Sequence, residues 1–384
     1  MSALELVFWV CLVVGLYPYV IYPFCTALLR SVGARPVRAA PVTPAVTVVI
    51  SAHNEALHIA GTVRNKLTQD YPPELLDVMI VSDASTDGTD EVIKRLASQE
   101  SRVSFLRQEP RSGKTAALNG LVERARGEII VFSDANSMYR PDAVRQLVAP
   151  FADPQVGYTT GRMLYVDHRG TVVGDGCTAY MRYENRLRAW ETGIGSIVGV
   201  DGGIDAVRRC LYRPMRAHQQ PDLVLPLSVV ERGYRVVYAP DAVLEEETLA
   251  NESAEYRMRV RVALRALWAL WDKRSLLNPL RFPLFSWQLV SHKVLRYLSF
   301  APLALAASIN WLLVPSSWLY AALAAGQGAA ALLVLGAAYG SPQVRAFSPA
   351  RYCYYFLLLN CASAAAFTRF VRGDKPVLWQ PRTG

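Results

Sequence analysis

The sequence predicts an α/β domain built on a twisted, mainly parallel sheet and flanked by transmembrane helices. Three observations carry this. Between positions 46 and 136 a short apolar run, a polar turn and a helical stretch follow one another repeatedly, the pattern of parallel strands joined by crossover helices. Leu6 to Leu29 holds 24 residues without Asp, Glu, Lys or Arg, and Tyr297 to Val344 holds 48; a spanning helix needs roughly 20. The 384-residue chain is also 52% hydrophobic, with a mean hydropathy of +0.16, too apolar for an average soluble protein.

The first apolar run is followed by Arg30, Arg35 and Arg38 and preceded by Glu5 with no base. It therefore reads as a retained anchor over residues 1–30 with its carboxyl end inside, not as a cleaved signal. Residues 31–44, rich in Pro, Ala and Arg, form a linker. The formal charge of +9 is explained by arginines beside apolar segments, so nucleic acid is not needed as a partner. Six cysteines, at 11, 25, 177, 210, 353 and 361, include no Cys-x-x-Cys pair and read as small hydrophobes rather than a disulfide or zinc framework.

Residues 45–250 form the next domain. Val46 to Ile50 is a strand ending at Ser51-Ala-His-Asn-Glu55, followed by a helix to about Gln69. Val78 to Val81 is the second strand, ending at Ser82-Asp-Ala-Ser-Thr-Asp-Gly-Thr89, with a helix through Leu96. Val103 to Leu106 is the third, and Arg111-Ser-Gly-Lys-Thr115 opens a helix over Ala116 to Ala125. The fourth strand, Ile129 to Phe132, stops at Ser133-Asp-Ala-Asn-Ser137. Ligands of open α/β sheets sit beyond the strands' carboxyl ends, so Asn54, Glu55, Asp83, Asp87, Lys114, Asp134 and Asn136 should gather along one crevice. Asp134 and Asn136 offer two hard oxygen donors, suited to Mg²⁺ or Mn²⁺ carrying a diphosphate; alternatively, Asp-Ala-Asn-Ser caps a helix starting at Pro141. Ser112-Gly-Lys-Thr115 looks like the end of a P-loop, but position 108 is Gln where that motif has Gly. Lys114 can still meet phosphate at a helix start.

Five blocks in order carry a family resemblance: Val49-Ile-Ser-Ala-His-Asn-Glu55, Val81-Ser-Asp-Ala-Ser-Thr-Asp-Gly88, Gly113-Lys-Thr-Ala-Ala-Leu-Asn119, Phe132-Ser-Asp-Ala-Asn136 and Gly202-Gly-Ile-Asp-Ala-Val-Arg-Arg209. With them the chain resembles the glycosyltransferase family 2 enzymes of GT-A fold, a Rossmann-like mixed sheet, among them cellulose, chitin and hyaluronan synthases and exopolysaccharide transferases. The resemblance implies that Asn54, Glu55 and Asp83 contact a nucleotide's base and ribose and that Lys114 lies near its phosphates. It also implies a metal-binding Asp-x-Asp at Asp134 and Asn136, with the second acid replaced by an amide. In Gln220-Pro-Asp-Leu223, Asp222 matches the last residue of the family's acidic motif and so would be the base; its position also suits a helix N-cap. Asp201 and Asp205 fall in the acceptor-side block, with Asp205 the reserve base.

Processive members carry Gln-x-x-Arg-Trp about here: Met258-Arg-Val-Arg-Val262 keeps only Arg261, on the diphosphate side, which favours transfer of one or a few sugars. Residues 251–296 otherwise read as an amphipathic interfacial region, with Arg257, Arg261 and Arg265 at helical spacing and head-group level. Residues 297–371 hold C-terminal transmembrane helices at about Leu298 to Trp318 and Leu319 to Gly340, with Tyr352 to Thr368 borderline, and 372–384 form a tail. A full crossing by that last segment would leave Arg369, Arg372 and Lys375 outside, against the positive-inside rule.

The resulting expectation is an inverting glycosyltransferase in the bacterial inner membrane with its catalytic domain cytoplasmic. A nucleotide sugar, UDP-linked in the first instance, would be its donor, and a glycan or lipid-linked molecule its acceptor. A polyprenyl-phosphate acceptor or a non-catalytic nucleotide-sugar-binding subunit are the alternatives. A transporter is disfavoured because the apolar runs carry no charge.

Overall fold

The computed structural model describes residues 2–166, 172–247 and 252–378. Eight strands form one sheet: β1 (Val46–Ala52), β2 (Leu76–Asp83), β3 (Val103–Gln108), β4 (Ile129–Asp134), β5 (Met138–Tyr139), β6 (Val156–Val166), β7 (Asp205–Arg208) and β8 (Arg235–Glu247). Their order is β3-β2-β1-β4-β7-β6-β8-β5. The first four are mutually parallel, as the repeating pattern predicts, and β7 then joins β4 antiparallel.

Period-two alternation assigns each strand's side chains to the two faces. Val48, Ile50, Val78, Ile80 and Val131 enter one apolar cluster; Val49, Met79, Val81, Ile130 and Phe132 enter the other. Both faces are covered, so β1 is buried at every position, as expected for a central parallel strand. Its Thr47 is tolerated there because its hydroxyl donates to Asp77 Oδ1 at 2.8 Å and accepts from the Gly127 amide at 2.9 Å.

Register now fixes the crevice. Ser51 lies opposite Asp134 and Ala52 opposite Ser82, so the turns leaving β1, β2 and β4 stand side by side at the carboxyl edge. The alternative in which Asp-Ala-Asn-Ser caps a helix fails: the chain first forms β5, paired with Leu244 and Glu245, and the helix begins at Ala143 with Asp142 as its N-cap.

The apolar flanks differ from expectation in three places. The first run is not one straight span but two helices, Ala3–Leu16 and Ile21–Val32, bent by 55°; Pro18 sits in the break, where it lacks an amide and blocks helical continuation. The Pro283–Leu298 and Phe300–Ser316 stretches are bent likewise by 55°. By length and composition the helices Trp318–Tyr339 and Ser348–Val371 could each cross a membrane, and up to four spans result if each bent pair counts as one.

The borderline C-terminal segment is thus a full 24-residue helix. It runs beside the Glu252–Asp272 helix in the same direction. Tyr355 donates to Glu255 at 2.9 Å near one end, and the Trp268 and Phe370 rings meet at 4.5 Å near the other. Trp268 Nε1 then donates to the Asp374 carbonyl at 2.7 Å, and the Lys375 ammonium lies 4.2 Å from the Trp268 ring centre. The domain boundary expected near 250 lies outside the described residues.

Candidate active site

The β1 and β2 turns are tied to each other before any ligand arrives. Asn54 adopts φ +56°, which an Asn tolerates; its Oδ1 accepts from the Thr86 amide at 2.9 Å, and the Glu55 amide donates to Thr89 Oγ1 at 2.9 Å. Asp83 is fully buried. Its carboxylate accepts from the Ser112 and Gly113 amides at 2.8 and 2.9 Å and from Gln108 Nε2 at 2.6 Å. Asn54 and Asp83 therefore organise loops with oxygens expected to meet a nucleotide. Of the three, only Glu55 lines the cleft.

That cleft, with a cavity volume of about 310 Å³, brings Glu55, Lys114, Asp134, Asn136, Asp201, Asp222 and Arg261 together. Lys114, the first residue of its helix, holds Asp134 Oδ1 at 2.5 Å. Burial alone would lower the Lys114 pKa; the charges of Asp134, Asp222 and Asp205 outweigh it and hold the ammonium above its usual range. Asp134 and Asn136 are the candidate cation ligands. Among the described residues no group of three or more His, Cys, Asp or Glu could hold a metal, so the donor set fits an ion that brings further oxygen ligands with it, as Mg²⁺ or Mn²⁺ on a diphosphate does.

Beneath this turn lies a residue that the sequence reading missed. Lys66 is fully buried; its ammonium donates to the Ser137 carbonyl at 2.6 Å and to Asn65 Oδ1 at 3.0 Å, 3.6 Å from the Tyr139 ring centre. Burial pushes its pKa well down, and Asp134 partly opposes this. The signal was available: Ile59, Thr62, Val63 and Lys66 recur at i, i+3, i+4 and i+7, which puts the lysine on the core face of its helix.

Opposite Asp134 the wall is the Gly202–Gly203 pair. A Cβ on Gly202 would overlap the Asp222 carboxylate, and one on Gly203 would stand 3.2 Å from Asp134 Oδ2, at a φ of +99° that disfavours a side chain. The two carboxylates thus converge on adjacent glycines. Asp222 is the second residue of the Pro221–Glu231 helix, whose N-cap is Gln220, so the capping alternative fails and its carboxylate faces the cleft.

Two acceptor-side expectations need correcting. Asp205 does not reach the cleft: it is 2% exposed at the start of β7 and accepts from the Tyr158 hydroxyl. Burial first, then the Asp222 charge, pushes its pKa well up, and its place beneath the cleft keeps it from an acceptor hydroxyl. A raised folded pKa in an acid costs stability above the unfolded value of about 3.9, increasingly as pH rises. Asp205→Asn should therefore leave transfer close to wild type and melt no lower at neutral pH, with the advantage shrinking towards pH about 4; thermal scans at the two pH values check this. Asp201 lines the cleft but is paired with Arg188, a wall contact.

The helix expected at head-group level is also different. Arg257 is exposed, whereas Arg261 and Arg265 turn into the cleft, Arg265 donating to the Gln219 carbonyl at 2.6 Å. Burial lowers both pKa values, with Asp134 opposing this at Arg261 and Asp222 at Arg265. Arg265 was assigned to the membrane because helical spacing alone cannot tell lipid from a charged cleft.

The Glycosyl transferase family 2 model matches residues 47–200. The chain is 24% identical over 233 residues to the probable glycosyltransferase YdaM of Bacillus subtilis (strain 168), covering 57% of this chain and 54% of that protein. It is 29% identical over 168 residues to the beta-monoglucosyldiacylglycerol synthase of Nostoc sp. (strain PCC 7120), covering 43% and 36%. The chain therefore spans about half or less of these relatives. Among solved structures, mannosyltransferase PcManGT from Pyrobaculum calidifontis, in complex with GDP-Man and Mn²⁺, shares the fold with a TM-score of 0.72 over 97% of this chain and 99% of that one, at 23% identity.

Proposed function

We propose that the chain, whose residues 47–200 match the Glycosyl transferase family 2 model, is a membrane-anchored inverting glycosyltransferase. It moves a sugar from a nucleotide donor, UDP- or GDP-linked, to a hydroxyl of a glycan or lipid-linked acceptor at the inner membrane of a bacterium, its catalytic domain cytoplasmic. The observation that carries the reading is the convergence of Asp134 and Asp222 on Gly202–Gly203: a diphosphate-side acid and an acceptor-side acid face one narrow space.

Each residue then has a task. Lys114, Arg261 and Arg265 surround the diphosphate with positive charge, and Glu55 borders the nucleoside. Asp134 and Asn136 would hold a divalent ion, which would supply further charge to offset that on the leaving diphosphate. Asp222 accepts the proton of the attacking hydroxyl, and a single displacement inverts the anomeric carbon. The four apolar helical units supply the membrane attachment.

Nucleotide release by detergent-purified protein, screened over UDP- and GDP-sugars with Mg²⁺ or Mn²⁺ and native membrane extract as acceptor, tests this. Release with one donor is expected. Silence across the panel would sink the catalytic reading and leave the binding-subunit alternative.

A further inference from the structure

The cleft is not polar throughout. Its lining includes Met163, Tyr180, Met181, Val200, Val262 and Tyr297, an apolar and aromatic surface that a nucleotide or a free sugar does not need. Lys293 is among the charged residues that share this lining. Lys293 enters from the Pro283–Leu298 stretch, within the widened turn Val290–Val294, and its ammonium lies where a Cβ on Gly199 would be only 2.6 Å from Nζ. Such π-turns are frequent at functional sites.

The local charges can be paired off. Arg188 holds Asp201, Arg296 holds Glu184, and Arg259 holds Glu255 at 2.8 Å. His292 lies 2.7 Å from Glu191 and 3.3 Å from Glu184. Among the described residues no carboxylate comes within ion-pair distance of Lys293. Lys293 thus lines the cleft with no carboxylate in direct contact, and an anion brought by a ligand would be favoured beside it.

Position says which ligand. Lys293 and Tyr297 belong to the same bent, apolar helix pair that continues through Phe300–Ser316, on which Leu305, Trp311 and Leu312 are exposed. An acyl or prenyl chain has a surface to follow from there. Gly199, against Lys293, and Gly202, against Asp222, are three residues apart, so their backbone separation is at most about 10 Å, room for a sugar ring or two between phosphate and base.

Resting on the glycosyltransferase reading above, the geometry points to an acceptor that is a short saccharide on a lipid phosphate or diphosphate, its phosphate received by Lys293 and its free hydroxyl presented to Asp222. The hydroxyl oxygen bonds to the donor's anomeric carbon as the bond to the diphosphate breaks. The proton passes to Asp222 and the nucleoside diphosphate leaves, while the lipid phosphate on Lys293 is chemically unchanged.

Farnesyl diphosphate, farnesol and inorganic diphosphate are the probes, titrated into the full-length protein in detergent by calorimetry, with donor nucleotide affinity and melting temperature measured on the same preparations. Farnesyl diphosphate is expected to bind about tenfold or more tighter than farnesol, the scale of one charge-assisted hydrogen bond, and tighter than inorganic diphosphate. Lys293→Met should erase the preference over farnesol and Lys293→Arg should keep it. Equal binding of farnesol and farnesyl diphosphate by wild type, or a preference that survives Lys293→Met, overturns the phosphate contact; inorganic diphosphate binding as tightly as the lipid overturns the lipid link. These affinities are read without turnover, so failure here is distinct from failure of the release assay.

Discussion

Asp222→Asn is expected to lower kcat by about 10² to 10⁴, the usual contribution of a positioned general base, while the protein still binds its nucleotide donor. The substitution keeps the shape of a side chain whose neighbour is the backbone of Gly202 and removes only its ability to take a proton. Single-turnover rates beside nucleotide affinity separate the two effects. Gly202→Ala should reproduce the defect without touching an acid, because the new methyl would occupy the space of the Asp222 carboxylate and push it from the acceptor hydroxyl. If Asp222→Asn transfers sugar at the wild-type rate, the base assignment falls. The nucleophile would then be a group already ionised, as a polyprenyl phosphate is, and needing no base.

The contrast between Asp222 and Asp205 shows how far the amino-acid sequence could be read. Local pattern was enough for the parallel half of the sheet, because Val46 to Ile50, Val78 to Val81 and Ile129 to Phe132 are apolar on both faces and end in polar turns. The crevice followed from topology, with no distances needed. Direction of a side chain did not follow. Asp201, Asp205 and Asp222 all fall in acceptor-side blocks, yet β7 pairs antiparallel with β4 and carries Asp205 under the cleft, while the first turn of a helix carries Asp222 into it. The family resemblance puts Asn54 and Asp83 at a nucleotide; what sequence does not show is that neighbouring amides already donate to their oxygens. Arg261 and Arg265 share a helical stripe that suits lipid head groups, and only the tertiary packing shows that they line the site.

Asp134→Ala should lower kcat by about 10² to 10³, the scale for losing one group that stabilises developing charge, and should also abolish the dependence on Mg²⁺ or Mn²⁺. The acid has two tasks that the substitution removes together. Toward the ligand it is the only carboxylate of the Asp134–Asn136 pair, and an amide oxygen alone is a weak hold on a divalent ion. Toward the protein it is the hydrogen-bonded counter-ion of Lys114 and the charge that opposes the lowering of Lys66, so its loss leaves the Lys114 ammonium without that partner. Asp134→Asn keeps an oxygen at that place, and excess Mn²⁺ should restore part of its activity but none of the alanine variant's. Pairing each change with Lys114→Ala tests the coupling: because both residues act on one diphosphate through one contact, the double variant should lose less than the product of the single losses. Full additivity, or metal-dependent turnover surviving in Asp134→Ala, would show that the ion sits elsewhere and that the short Lys114 contact serves the fold alone.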